Sequence, residues 1–163
     1  MNRQILLLIL VVMTSYLLPS CGGGSAAYEQ SVNVSLRTWS RTDTLSFEVT
    51  VPDVFDPYNP LQAGTPYNVA LALRYRPDYP CEPLSLHMRL VNDSVSYVGC
   101  SRRLSLTGSD GLPDGSTWGS LSTKQFDDLQ YTITFPAAGS YRLLIWPEHE
   151  ASRIASVTVS LFK

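Results

Sequence analysis

The chain is short of the side chains that carry most enzyme chemistry. Among its 163 residues there are two histidines, His87 and His149, and three cysteines, Cys21, Cys81 and Cys100. A zinc site would need both imidazoles and both later thiols to converge, and none of them stand at the close spacings that metal loops favour. No metal and no cofactor is expected. Serines are plentiful, but no G-x-S-x-G elbow occurs and no helix follows a strand to supply an oxyanion hole, so a hydrolytic triad has no frame. The dense acidic spots, Asp127-Asp128 and Glu148-His149-Glu150, read as solvated loop residues, since neighbours on an extended strand point to opposite faces. The glycine-rich stretch Gly108 to Gly119 lacks the lysine-serine ending of a phosphate cradle. A non-enzyme is the expectation.

Charge is scarce as well: 16% of residues are Asp, Glu, Lys or Arg, with a net charge of −2. No basic face is available for nucleic acid and no polybasic patch for anionic lipid. Helical periodicity is missing too, because beyond the first twenty residues no window of a dozen keeps apolar side chains at 3.6-residue spacing.

One long oily run exists, and it opens the chain. Ile5 to Leu18 is almost unbroken apolar sequence behind Arg3, the only charged residue of the first twenty. The run is shorter than the roughly 20 residues a membrane helix needs and matches the core of a signal peptide. It ends in Leu18-Pro19-Ser20-Cys21, which resembles the bacterial lipobox, so Cys21 is expected to become the acylated first residue of the mature chain. The competing reading is a secreted protein cleaved nearby with a free Cys21. Each buried methylene contributes about 0.8 kcal/mol, so one fatty chain holds marginally while two or three hold for good. Residues 1–20 are thus the leader, residues 21–30 a lipidated cysteine with a Gly-rich tether, and residues 31–163 one domain. Without residues 1–20 the chain keeps 11 basic and 14 acidic residues, a net charge of −3, so the acyl chains must supply the membrane binding.

In that domain apolar residues alternate. Val32, Val34 and Leu36 take every second position, as do Leu45 to Val51, Tyr67 to Tyr75, Leu84 to Leu90, Leu129 to Phe135, Tyr141 to Ile145 and Val157 to Leu161. Period two buries one face of a strand and wets the other. Proline- and glycine-bearing turns separate the runs. The fold expected is all-β, an antiparallel β-sandwich, immunoglobulin-like or jelly-roll-like, of seven to nine strands. Val95 to Gly99 and Leu104 to Leu106 are candidate short strands, the first turning back on Leu84 to Val91 at Asn92-Asp93.

With Cys21 acylated, Cys81 and Cys100 form an even pair in an oxidising compartment. They either bridge, closing a loop whose chain-entropy contribution is about 3 kcal/mol, or stay as two buried thiols. The stretch Arg74-Tyr75-Arg76-Pro77-Asp78-Tyr79-Pro80 is a candidate interaction surface through Arg74, Tyr75, Arg76 and Tyr79, because arginine and tyrosine are favoured where proteins recognise one another. The alternative is a stiff loop with Tyr79 packed on the domain and Asp78 paired with an arginine.

Trp39 followed by Asp43-Thr44-Leu45-Ser46-Phe47, Tyr67-Asn68-Val69 leading to Leu73-Arg74-Tyr75 and Asp78-Tyr79-Pro80, Trp118-Gly119, and Phe135-Pro136 before Gly139-Ser140-Tyr141 together resemble the GldH gliding-motility lipoproteins of Bacteroidota. The resemblance runs from Trp39 to the C-terminus. It implies a lipoprotein of the cell envelope, associated with the gliding apparatus and its linked secretion machinery and without known enzymatic activity, whose partners are other envelope proteins. Relatives in non-gliding species mean that motility need not follow. Asp43-Thr44-Leu45 and Asp93-Ser94-Val95 look like the O-glycosylation sequon of that phylum, which would modify Thr44 and Ser94; both are equally readable as plain strand and turn residues. The expected location is the outer membrane, lipid-anchored on the periplasmic face. A second function class is a glycan-binding sandwich of a polysaccharide-uptake system, with Trp39, Trp118, Trp146 or Tyr79 as stacking platforms on one concave face.

Overall fold

The computed structural model describes residues 25–34, 38–80, 82–93, 95–97 and 99–163. The leader, Cys21, Leu36, Cys81 and Ser94 lie outside the described residues. Ten strands are present and no helix is found among the described residues: β1 Tyr28–Asn33, β2 Leu45–Val51, β3 Pro66–Tyr75, β4 Leu84–Val91, β5 Cys100–Leu104, β6 Ser116–Trp118, β7 Leu121–Phe126, β8 Thr132–Thr134, β9 Gly139–Pro147 and β10 Ile154–Phe162. All pairings are antiparallel, in a six-stranded sheet ordered β1-β10-β3-β7-β6, with β8 also on β3, and a four-stranded sheet ordered β2-β9-β4-β5. The expected β-sandwich is what forms, with one strand more than the upper count.

The pleat explains the core. Tyr67, Val69, Leu71, Leu73 and Tyr75 share one face of β3 and are all buried, opposite Leu86, Met88 and Leu90 of β4 and Tyr141, Leu143 and Ile145 of β9. β10 contributes Val157, Val159 and Leu161 in the same phase. Period two therefore fills the slab between the sheets with aliphatic and aromatic side chains, while alternate residues point to solvent. Phe135 closes the aromatic packing, 4.9 Å from the Tyr141 ring centroid and 6.0 Å from that of Tyr67.

Several boundaries differ from the sequence reading. β1 begins at Tyr28, inside the stretch taken as tether, because Ala27 N–H donates to the Leu161 carbonyl and Tyr28 to Asn33 zip against β10. The hairpin after β4 does turn at Asn92, whose side chain accepts from Val95 N–H at 2.8 Å, and Tyr97 N–H reaches the Leu90 carbonyl. The register then slips by one residue, and the regular strand is Cys100–Leu104. Gly99 sits at the slip: a Cβ there would lie 2.5 Å from the Met88 carbonyl oxygen, so only glycine allows the approach. The glycine-rich region read as loop holds β6 and pairs it with β7 through the turn at Gly119, whose φ is +64°.

The register also defines two ends. At one end stand Ser25 to Tyr28, the loop of residues 52–65, the β8–β9 turn and Lys163, whose ammonium donates to Gln62 Oε1 at 3.4 Å. At the other stand Trp39, the β3–β4 connection, residues 105–115 and the β9–β10 connection. There Trp39 and Ala151 exchange both backbone hydrogen bonds, and the Trp39 indole donates to the Asp43 carbonyl at 2.7 Å.

Candidate functional site

At the end of β3 the pleat divides the candidate surface in two. Tyr75 is in phase with the core and fully buried, its hydroxyl 2.6 Å from the Leu106 carbonyl and 2.7 Å from that of Asp114. The chain then turns, with Tyr79 N–H donating to the Arg76 carbonyl at 3.0 Å. That turn folds Tyr79 back edge-on against Tyr75, ring centroids 5.9 Å apart. Burial raises the hydroxyl pKa of both tyrosines. Asp78 accepts from Arg76 Nε at 3.2 Å and from the Arg153 guanidinium. The stiff-loop reading of this stretch thus describes the geometry, and only Arg74 and Arg76 of the four candidates face outward. Arg153 adopts a left-handed backbone, φ +66°, while its carbonyl accepts from Arg76 N–H.

The β6–β7 hairpin lies alongside. Tyr75 pairs with Ser122, and Ser122 with Thr117; their hydroxyls meet at 2.8 Å on the inward face. One step on, Leu121 and Trp118 pair on the outward face next to Arg76. Arg76, Pro77 and Asp78 form one wall of a groove, and Ser120 and Leu121 the other. Trp118 is 90% exposed beside it. The sequence signal for this hairpin was Trp118-Gly119, an aromatic strand end followed by a residue free to take positive φ.

The remaining aromatics are dispersed. Trp39 is buried, and Trp146 stacks on His87 across the outer face of the four-stranded sheet, centroids 5.4 Å apart, with the Arg89 guanidinium 5.8 Å from the indole. His87 Nδ1 lies 2.6 Å from Ser101 Oγ, so the imidazole points away from the core, as its place in the strand requires. Of the four proposed stacking platforms Trp118 alone is largely exposed. Thr44 is exposed, one residue before β2. Cys100 carries a free thiol, half-buried opposite Met88, and burial raises its pKa although nearby Arg102 pulls it back. Among the described residues no three His, Cys, Asp or Glu side chains converge to hold a metal ion, and no helix is long and apolar enough to cross a membrane.

A feature that no periodic pattern announces is the apolar tip of the β2–β3 loop. Val54, Phe55 and Tyr58 are 74%, 75% and 96% exposed. An Asx turn, Tyr58 N–H to Asp56 Oδ1 at 2.8 Å, and Asn59 Nδ2 donating to the Thr50 carbonyl at 2.8 Å hold the loop against its own strand.

A family model described as "GldH lipoprotein" matches residues 26–158, which takes in nine of the ten strands whole and most of β10. A solved structure titled "Structure of infectious bursal disease virus Gt strain" is similar at 16% identity with a TM-score of 0.28. The match covers 84% of this chain and 32% of that one, so the chain spans about a third of its length. A comparison with curated proteins finds no match.

Proposed function

Because the chain belongs to the GldH lipoprotein family, we propose that it is a non-catalytic component or accessory of the gliding-motility apparatus or its linked secretion machinery, held in the outer membrane on the periplasmic face by lipid on Cys21. The observation that carries the reading is the span of the family match, which coincides with the folded domain rather than with a fragment of it. Lipoprotein families are membrane-anchored envelope proteins, and the lipobox-like Leu18 to Cys21 supplies the attachment point. The sequence after Cys21 has no acidic run of the kind associated with surface export in this phylum, which favours the periplasmic face.

In this reading the domain works by contact. The groove between Arg76-Pro77-Asp78 and Ser120-Leu121, with exposed Trp118 at its rim, offers a planar cation and a large apolar ring, the pairing enriched where binding energy concentrates. It lies at the end of the sandwich away from Ser25, so it faces other proteins. The test is a photo-cross-linking residue at position 118 in the native membrane. Recovery of motility or secretion subunits supports the proposal; recovery of polysaccharide-uptake proteins overturns it in favour of the glycan-binding class.

A further inference from the structure

We propose that the loop tip formed by Val54, Phe55 and Tyr58 inserts into the bilayer surface beside the lipid anchor, giving the domain a second membrane contact and a fixed orientation. The inference rests on the attachment at Cys21 proposed above. Two observations carry it. The tip holds three of the six large apolar side chains that are exposed among the described residues, and they lie within five positions of one another. The same tip stands where the chain emerges toward the anchor: Pro57 and Tyr58 line one groove with Ser25 and Ala26.

Length then restricts the occupant. Four residue steps separate Cys21 from Ser25, so even fully extended chain cannot place their Cα atoms more than about 14 Å apart. Acyl chains on Cys21 put that residue at the boundary of headgroups and hydrocarbon. Whatever surrounds Ser25 and Tyr58 is therefore within a headgroup layer's thickness of the bilayer, too close for a folded partner to intervene. Phenylalanine and tyrosine are the side chains that settle at such an interface, ring inward and hydroxyl in the wet layer. Asp53 and Asp56 flank the apolar pair, so the tip suits uncharged zwitterionic headgroups over anionic ones. Burial of the tip also accounts for an otherwise costly cluster of exposed apolar side chains.

The experiment uses the full lipidated chain in phosphatidylcholine vesicles whose acyl chains carry bromine, a contact quencher of indole emission. Phe55→Trp is the reporter at the tip, Tyr58→Trp a second one should the first fold poorly, and Leu112→Trp the control at the opposite end. Emission is corrected for the native tryptophans by subtracting the unsubstituted protein. The proposal expects the tip reporter to shift to shorter wavelength and lose intensity in brominated vesicles, the Leu112→Trp reporter to do neither, and the tip quenching to weaken when anionic lipid is added. Protein that floats with the vesicles while its tip reporter stays unquenched overturns the insertion and leaves the anchor standing. Quenching at both ends overturns the orientation. Protein that does not float overturns the anchor itself.

Discussion

The hydroxyl of Tyr75, at the end of β3, lies 2.6 Å from the carbonyl oxygen of Leu106, 31 residues further along the chain. The Asp114 carbonyl is 2.7 Å away on the other side, so a single phenol ties down both limbs of the segment that leads into β6. One proton serves two acceptors, and the limbs are also joined directly, Asp114 N–H donating to the Leu106 carbonyl at 2.9 Å. Tyr75→Phe removes the donor from both carbonyls, of which Leu106 keeps the bond from Asp114 N–H, and costs about 0.5–1.5 kcal/mol. Urea unfolding should show that loss, and amide exchange in residues 106–118 should quicken more than in β4. An unchanged midpoint would contradict the role given to this hydroxyl.

Alkali should destabilise the domain through the same class of residue. Burial raises the hydroxyl pKa of Tyr75 and Tyr79 above the ordinary 10, and pushes those of Tyr28 and Tyr131 up to about 12, with the Glu48 carboxylate assisting at Tyr28. The unfolded chain therefore releases these protons first. Stability is intact below pH 10 and falls as pH climbs from 10 towards 12, because the folded state is the one that keeps its protons. Unfolding midpoints at pH 8, 10 and 11 measure the decline, and Tyr28→Phe should lessen it. A flat profile through pH 11 would contradict it.

Cys100 should alkylate slowly. Its thiol is half-buried, burial raises its pKa, and the thiolate is the reactive form. The β4–β5 register puts it opposite Met88. Iodoacetamide should label Cys100 in folded, unreduced protein more slowly than in urea. Labelling that requires prior reduction would instead establish a bridge to Cys81.

What the sequence made legible follows from burial of one strand face. β2, β3, β4, β9 and β10 are interior or long strands, each with one face in the core, and their alternation is plain. Two of the edge strands, β5 and β6, hide. β5 reads Cys-Ser-Arg-Arg-Leu, with a single fully buried residue, and β6 is exposed at all three positions, so neither carries a period-two signal strong enough to outweigh nearby glycines and prolines. At the candidate surface the pleat already placed Tyr75 in the buried phase with Tyr67 and Leu73, whereas the outward turn of Trp118 depended on a hairpin the sequence only hinted at. The tip at Phe55 has no periodic mark at all, since loops expose side chains according to where they lead rather than to a repeat.

Intact-mass analysis of the mature protein extracted from native membranes tests the central claim most directly. The account predicts a chain that begins at Cys21 and carries a diacylglyceryl thioether with an added acyl group, and a Cys21→Ser protein that leaves the membrane fraction. A mature chain of unmodified mass, or a Cys21→Ser protein still bound to the envelope, would contradict it.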